Sequence, residues 1–252
     1  MLLTIDIGNT SIVLGLFERA KLVSRLRIVS DTKRGAGWYA QRILKLKGSR
    51  KDNIEAAVIS SVVPKLNNVV KKAVKKTYKC MAIIVSWKGI KGLKIALSKK
   101  HQVGVDRLVN ALAAYRLYGG KAVIIDFGTA TTFCAVDRKG RYLGGAITSG
   151  LESSRDILYR KTAKLPLISF KKIGKVIGKD TVSAMRSGLF FGYIDLVEGM
   201  IKRFKKELGS GAKVVATGGL APLIAKGTKM IDVVDPDLTL KGLKLVYEGM
   251  NK

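Results

Sequence analysis

Ile5-Asp6-Ile7-Gly8-Asn9-Thr10 and Ile125-Asp126-Phe127-Gly128-Thr129-Ala130 are two versions of one pattern, set 120 residues apart in a chain of 252. Each acid ends a short apolar run, Leu2–Asp6 in the first copy and Ala122–Asp126 in the second. A turn follows, and then a second apolar run, Ser11–Phe17 and Thr132–Val136. Apolar runs of this length bounded by turn residues predict β-hairpins. Repetition at half the chain length predicts two copies of one supersecondary unit, not a solenoid, whose periods are about 20–50 residues. Between the copies the spacing predicts a helix around Trp38–Lys45, a strand Ala56–Ser60, and a helix from Pro64 to about Thr77. A strand Ala82–Val85 and a helix Asp106–Tyr118 follow, the latter stopped by Gly119-Gly120. After the second copy come a helix of about Thr181–Glu207, a strand Lys213–Thr217, a Gly218-Gly219 turn, a further helix and a C-terminal helix. Strands separated by helices predict an α/β sheet protein, and two similar halves facing each other predict a cleft between them.

Composition narrows the chemistry. A hydrophobic fraction of 47% excludes a disordered chain despite the charge. The two cysteines, Cys80 and Cys134, are too few for a disulfide scaffold or a thiolate zinc cluster and are expected to be buried. The single histidine, His101, excludes paired-histidine metal motifs and is expected at the surface. Apolar runs are far shorter than the roughly 18 residues of a membrane span, and Asp6 interrupts any signal-peptide core. A cytoplasmic protein is expected.

Against 18 acids stand 47 Lys and Arg, a net charge of +29. Much of the excess falls in clusters: Lys71, Lys72, Lys75 and Lys76; Lys171, Lys172, Lys175 and Lys179; Lys202, Arg203, Lys205 and Lys206. In the first and third, apolar residues interleave at helical spacing, which predicts solvated faces of amphipathic helices. Such charge is also the footprint of a nucleic-acid surface, but no recognisable nucleic-acid module accompanies it. Non-specific, salt-sensitive DNA binding is expected, without being the function.

The paired turns carry the chemistry. Glycine at Gly8 and Gly128 lets an anion approach the backbone, and neighbouring N–H groups and hydroxyls donate to it. The acid ending each strand holds a cation or positions water. One such turn is an ordinary hairpin tip; two at matching positions suit a polyphosphate with its metal. Phosphoryl transfer needs mainly positioning and charge neutralisation. Three other matches are discarded: Gly35-Ala36-Gly37-Trp38-Tyr39-Ala40 follows no apolar strand, Gly178-Lys179 lacks P-loop spacing, and Asp126-Phe127-Gly128 has no accompanying kinase elements. A third acid lies in Gly104-Val105-Asp106-Arg107, a carboxylate beside a guanidinium at a helix start. Asp106 could accept a proton from an attacking hydroxyl, and Arg107 could hold an anionic group. An acid at a helix start is also favoured by the helix dipole alone.

These motifs, with Gly144-Gly145-Ala146-Ile147, Thr162-Ala163-Lys164-Leu165-Pro166, Gly178-Lys179-Asp180-Thr181 and Thr217-Gly218-Gly219, resemble the type III pantothenate kinases across nearly the whole chain. The resemblance implies the actin-like ATPase/sugar-kinase superfamily: two ribonuclease-H-like domains, expected as residues 1–117 and a dimerising 118–252, with the active-site cleft between them. It implies a homodimer that transfers the ATP γ-phosphoryl group to pantothenate, with Mg2+ accompanying ATP and a monovalent cation, K+ or NH4+. Under it Asp6, Ile7, Gly8, Asn9, Thr10, Ser11, Ile12 and Val13 bind ATP, Asp6 lying near the magnesium. Thr129 also binds ATP, Asp126 holds the monovalent cation, and Asp106 is the catalytic base. Gly104, Val105, Asp106, Arg107 and Thr181 contact pantothenate, Thr181 across the dimer. Leu97-Ser98-Lys99-Lys100 departs from the family, which usually has Tyr nine residues before the Asp, followed shortly by Asn-Pro. A related kinase for another small hydroxy acid or alcohol, or a regulatory, nucleic-acid-associated member of the fold, are the other readings.

Overall fold

The computed structural model describes residues 1–46, 54–170 and 174–250. The chain divides into two compact units, Met1–Ala113 with Leu238–Lys252, and Ala114–Asp237.

In the first unit, β1 (Leu2–Ile7), β2 (Ser11–Glu18) and β3 (Lys21–Val29) form an antiparallel meander; β4 (Ala56–Ser61) and β5 (Ala82–Ile84) add in parallel beyond β1. The order is β3-β2-β1-β4-β5. Strand periodicity decides what each face meets. Leu3, Ile5 and Ile7 point with Ile12, Leu14, Leu16, Ala57 and Ile59 into a core closed by α1 (Ala36–Ile43) and α2 (Pro64–Tyr78). Each fully buried side chain of this size contributes about 1.5–3 kcal/mol relative to exposure. Helix α2 opens on Pro64 and keeps Lys72, Lys75 and Lys76 exposed. The short strand β6 (Lys94–Ile95) and a 3-10 turn at Lys100–Gln102 lead to α3 (Val105–Tyr118), the helix within which the units divide.

The second unit repeats the plan. β7 (Ala122–Phe127), β8 (Ala130–Val136) and β9 (Arg141–Ser149) are antiparallel; β10 (Lys213–Thr217) and β11 (Val233–Val234) are parallel to β7. Its strands run β9-β8-β7-β10-β11, the order of the first unit position for position. The 120-residue repeat is therefore a repeat of a whole α/β unit. Helices α4 (Leu151–Lys161), α5 (Thr181–Leu208) and α6 (Ala221–Ala225) accompany the sheet, and Phe190, Ile194, Val197 and Ile201 of α5 pack with Val123, Ile125 and Phe133. Helix α5 starts on a capping box between Asp180 and Ser183.

The boundaries differ from the contiguous halves expected. The C-terminal helix α7 (Leu238–Met250) packs on β1, β2 and β4 of the first unit. The fit is steric: a Cβ at Gly15 would lie 2.8 Å from Leu240, and one at Gly242 would lie 2.4 Å from the Val109 carbonyl oxygen of α3. Backbone cannot yield as a side-chain tip can, so Gly242→Ala should cost about 1–3 kcal/mol, the usual scale of overpacking; a urea midpoint unchanged from wild type would refute that packing. Strands β3, β9 and β11 and helix α4 are elements the spacing did not predict. Cys80 and Cys134 are buried and His101 exposed. Lys171 and Lys172 lie outside the described residues. Among the described residues no helix is long and apolar enough to cross a membrane.

Candidate active site

The first turn is built by three strands. The Gly8 N–H donates to the Ser11 carbonyl at 3.0 Å, closing the β1–β2 tip. Ser30, just beyond β3, latches it: its N–H donates to the Thr10 carbonyl at 3.0 Å and its hydroxyl to the Gly8 carbonyl at 2.6 Å. Asp6 sits half-buried at the end of β1, in register with Val13 on one side and Ser60 on the other. Asn9 and Thr10 are exposed, and Ser11 and Val13 half-buried. Ile7 and Ile12 are core residues, so any ligand contact of theirs is through the main chain.

Asp106 belongs to the same end of the same sheet. Past β4, the Val62 N–H donates to the Ile7 carbonyl at 3.0 Å, and the Val62 side chain lies against the approach to α3: a Cβ on Gly104 would meet it at 3.8 Å. That Cβ would also stand 2.4 Å from Asp106 Oδ1, so the carboxylate occupies the space a side chain at Gly104 would take. The Arg107 N–H donates to Oδ1 at 2.8 Å. Burial raises the Asp106 pKa; the Arg107 N–H and guanidinium charge pull against it without reversing it. A desolvated carboxylate with a raised pKa is a suitable proton acceptor.

In the second unit Asp126 is half-buried at the end of β7, paired with Thr132 on β8 and Thr217 on β10. Backbone crowds around it. A Cβ on Gly218, whose φ is +91°, would lie 2.6 Å from Asp126 Oδ1 and 2.6 Å from the Phe127 carbonyl oxygen; one on Gly150 would lie 2.4 and 2.5 Å from the Gly128 and Thr129 carbonyl oxygens. The exposed Thr129 marks the tip, its carbonyl accepting from the Gly150 N–H at 3.1 Å and the Ser153 hydroxyl at 2.7 Å. Below, buried Thr131 hydrogen-bonds Tyr193 of α5, whose phenol pKa burial raises.

Asp6, the Gly8–Ser11 turn and the Gly104–Arg107 segment are thus brought to one sheet end, and Asp126 and Thr129 share one hairpin tip. Thr181 is exposed on the first turn of α5, about 18 Å along that helix from Tyr193 by helical rise. Ser30, Gly150 and Tyr193 brace the turns and carry no signal in local spacing apart from glycine itself, whereas Gly218 was marked by the Thr217-Gly218-Gly219 motif.

Among the described residues no group of three or more His, Cys, Asp or Glu could cage a metal. Mg2+ arriving on nucleotide phosphates needs only one or two protein carboxylates. The Asp126 carboxylate and crowded carbonyl oxygens of its turn are hard oxygen donors, suited to a monovalent cation.

The duplicated sheet order is that of the two-domain sugar-kinase fold. A ROK family glucokinase from Streptomyces griseus, solved with glucose and AMPPNP, superposes with a TM-score of 0.53 at 12% identity, covering 98% of this chain and 99% of that one. A Campylobacter jejuni protein described as a Baf family transcriptional activator superposes with a TM-score of 0.63 at 18% identity, covering 99% of this chain and 100% of that one. Closer in sequence, a type III pantothenate kinase of Paramagnetospirillum magneticum is 45% identical over 251 residues, 98% of this chain and 96% of that protein. The family model of type III pantothenate kinases matches residues 2–203. The chain belongs to the type III pantothenate kinase family.

Proposed function

We propose that Asp106 is the general base of this chain's reaction and that the Asp6–Val13 turn binds the phosphates of ATP. The reaction is the family's: ATP-dependent phosphorylation of pantothenate, at the primary hydroxyl. The observation that carries the assignment is the placement of a desolvated carboxylate, held by the Arg107 N–H, at the sheet end that also carries the Gly8–Ser11 turn. Asp106 Oδ takes the hydroxyl proton as the oxygen bonds to the γ-phosphorus, the bond from that phosphorus to the bridging oxygen breaks and ADP leaves with the electron pair, while Arg107 holds the acceptor's carboxylate. The turn N–H groups and the Thr10 and Ser11 hydroxyls take up phosphate charge.

In the second unit, Thr129 serves ATP and Asp126 holds K+ or NH4+. When bound, that cation would supply positive charge to offset that of the nucleotide, and Asp6 would be the carboxylate for the Mg2+ that ATP brings. Thr181 contacts pantothenate in a homodimer. Light scattering is expected to give a dimer mass, and a monomer mass would refute the homodimer. A cytoplasmic site of action accords with a coenzyme-biosynthesis enzyme.

The test is coupled ADP release with ATP and Mg2+, pantothenate against a panel of small hydroxy acids and alcohols, with K+, NH4+ or Na+. Turnover with pantothenate that depends on K+ or NH4+ is expected. Turnover only with another acceptor would point to half-buried Leu97 and exposed Ser98, Lys99 and Lys100, which lead into Gly104. No turnover with any acceptor would overturn the kinase reading.

A further inference from the structure

The third strand does more than brace the turn. Register carries a straight row across the first sheet: Ser60 beside Asp6, Asp6 beside Val13, Val13 beside Arg27. Directly opposed residues project from the same face, so Arg27 rises from the face that bears Asp6. Its side chain leans toward the hairpin tip, where Nη1 donates to Ser11 Oγ at 3.3 Å. The strand itself is fixed to that tip by the two Ser30 hydrogen bonds. Arg27 is exposed, and its guanidinium meets no carboxylate among the described residues. One donor is engaged by the loop hydroxyl, so the planar fork is oriented while its other N–H groups remain available.

We infer that Arg27 is a triphosphate-binding residue, adding a side-chain cation to a turn that otherwise offers main-chain N–H groups and hydroxyls. The partner chemistry is an oxyanion held by an oriented guanidinium, and the assignment rests on the reading of the Asp6–Val13 turn as the ATP phosphate site. Charge-assisted hydrogen bonds of this kind predict a loss of about 10- to 100-fold in affinity when the guanidinium is removed. Lysine keeps the charge but not the fork, so R27K should fall between R27Q and wild type.

The experiment compares wild type, R27K and R27Q for KM of ATP, KM of pantothenate, and inhibition constants of inorganic tripolyphosphate and of adenosine, with thermal melting as a folding control. The expected result is a 10- to 100-fold weaker hold on ATP and tripolyphosphate in R27Q, with adenosine, pantothenate and melting nearly unchanged. Weakening of adenosine and tripolyphosphate alike would mean that Arg27 only shapes the turn, and overturns the assignment. Equal tripolyphosphate affinity in R27Q and wild type overturns it too, leaving the turn a nucleotide site. Wild-type protein that binds neither ATP nor tripolyphosphate overturns the reading of the turn, and Arg27 with it.

Discussion

Asp106→Asn should lower kcat by about 10²- to 10⁴-fold, the usual worth of a positioned general base, and should raise the melting temperature while doing so. The two effects have one cause. Asparagine keeps the shape and can still accept the Arg107 N–H, but cannot take a proton. Burial raises the Asp106 pKa above its ordinary value of 3.8, so the folded chain binds the proton more tightly than the unfolded one. Ionising the group therefore works against folding, and wild type loses this contribution as pH rises through the interval from the unfolded value to the raised folded one. Neutral asparagine is free of that cost. The gain in melting temperature of D106N over wild type should be absent at the acid end of the interval and complete above its upper end. The same raised pKa predicts an acid limb in the wild-type kcat/KM profile above the ordinary carboxylate range, missing from the residual activity of D106N. A folded D106N enzyme with wild-type turnover would remove Asp106 from the chemistry.

The elements that spacing predicted well are those whose burial is local. Strands β1 and β7 read as short, mainly apolar runs because both faces are covered, and α5 declares itself through its apolar repeat and the Asp180–Ser183 cap. Strands β3 and β9 were silent for the opposite reason. Exposed Lys21, Arg25 and Arg27 alternate with half-buried residues in β3, while Gly144 and Gly145 interrupt β9. Helix α4 buries only Leu151. The return of α7 to the first unit rests on the fit of Gly242 against Val109 and of Leu240 over Gly15, contacts between residues more than 100 apart in sequence. No local pattern encodes them. The candidate site follows the same division. Asp6, Gly8, Asp106 and Asp126 are legible because the acid and its turn lie within a few residues of each other. The Ser30 latch on Gly8 and Thr10, and the pressure of Gly150 and Gly218 on the second turn, depend on strands and loops that meet only in three dimensions.

Gly104 gives the sharpest test of whether position, rather than the mere presence of a carboxylate, sets the rate. Its backbone is not in the left-handed region, so alanine brings no conformational penalty of that kind. What it brings is a methyl group 2.4 Å from Asp106 Oδ1. The obstacle is the end of a side chain, which can rotate away, so Gly104→Ala should fold with a melting temperature close to that of wild type. Rotation takes the carboxylate off the Arg107 N–H and away from the line of the attacking hydroxyl, and a displacement of about 1 Å at a reacting group can cost on the order of 10²-fold. The expected signature is a fall in kcat of that size, with KM for ATP little changed because the Gly8–Ser11 turn is untouched. Combining Gly104→Ala with Asp106→Asn then decides the mechanism. If glycine acts only by leaving room for the carboxylate, the double variant should be no slower than D106N alone, a strongly non-additive pair. Additive losses would mean that Gly104 touches the acceptor directly, independent of the base.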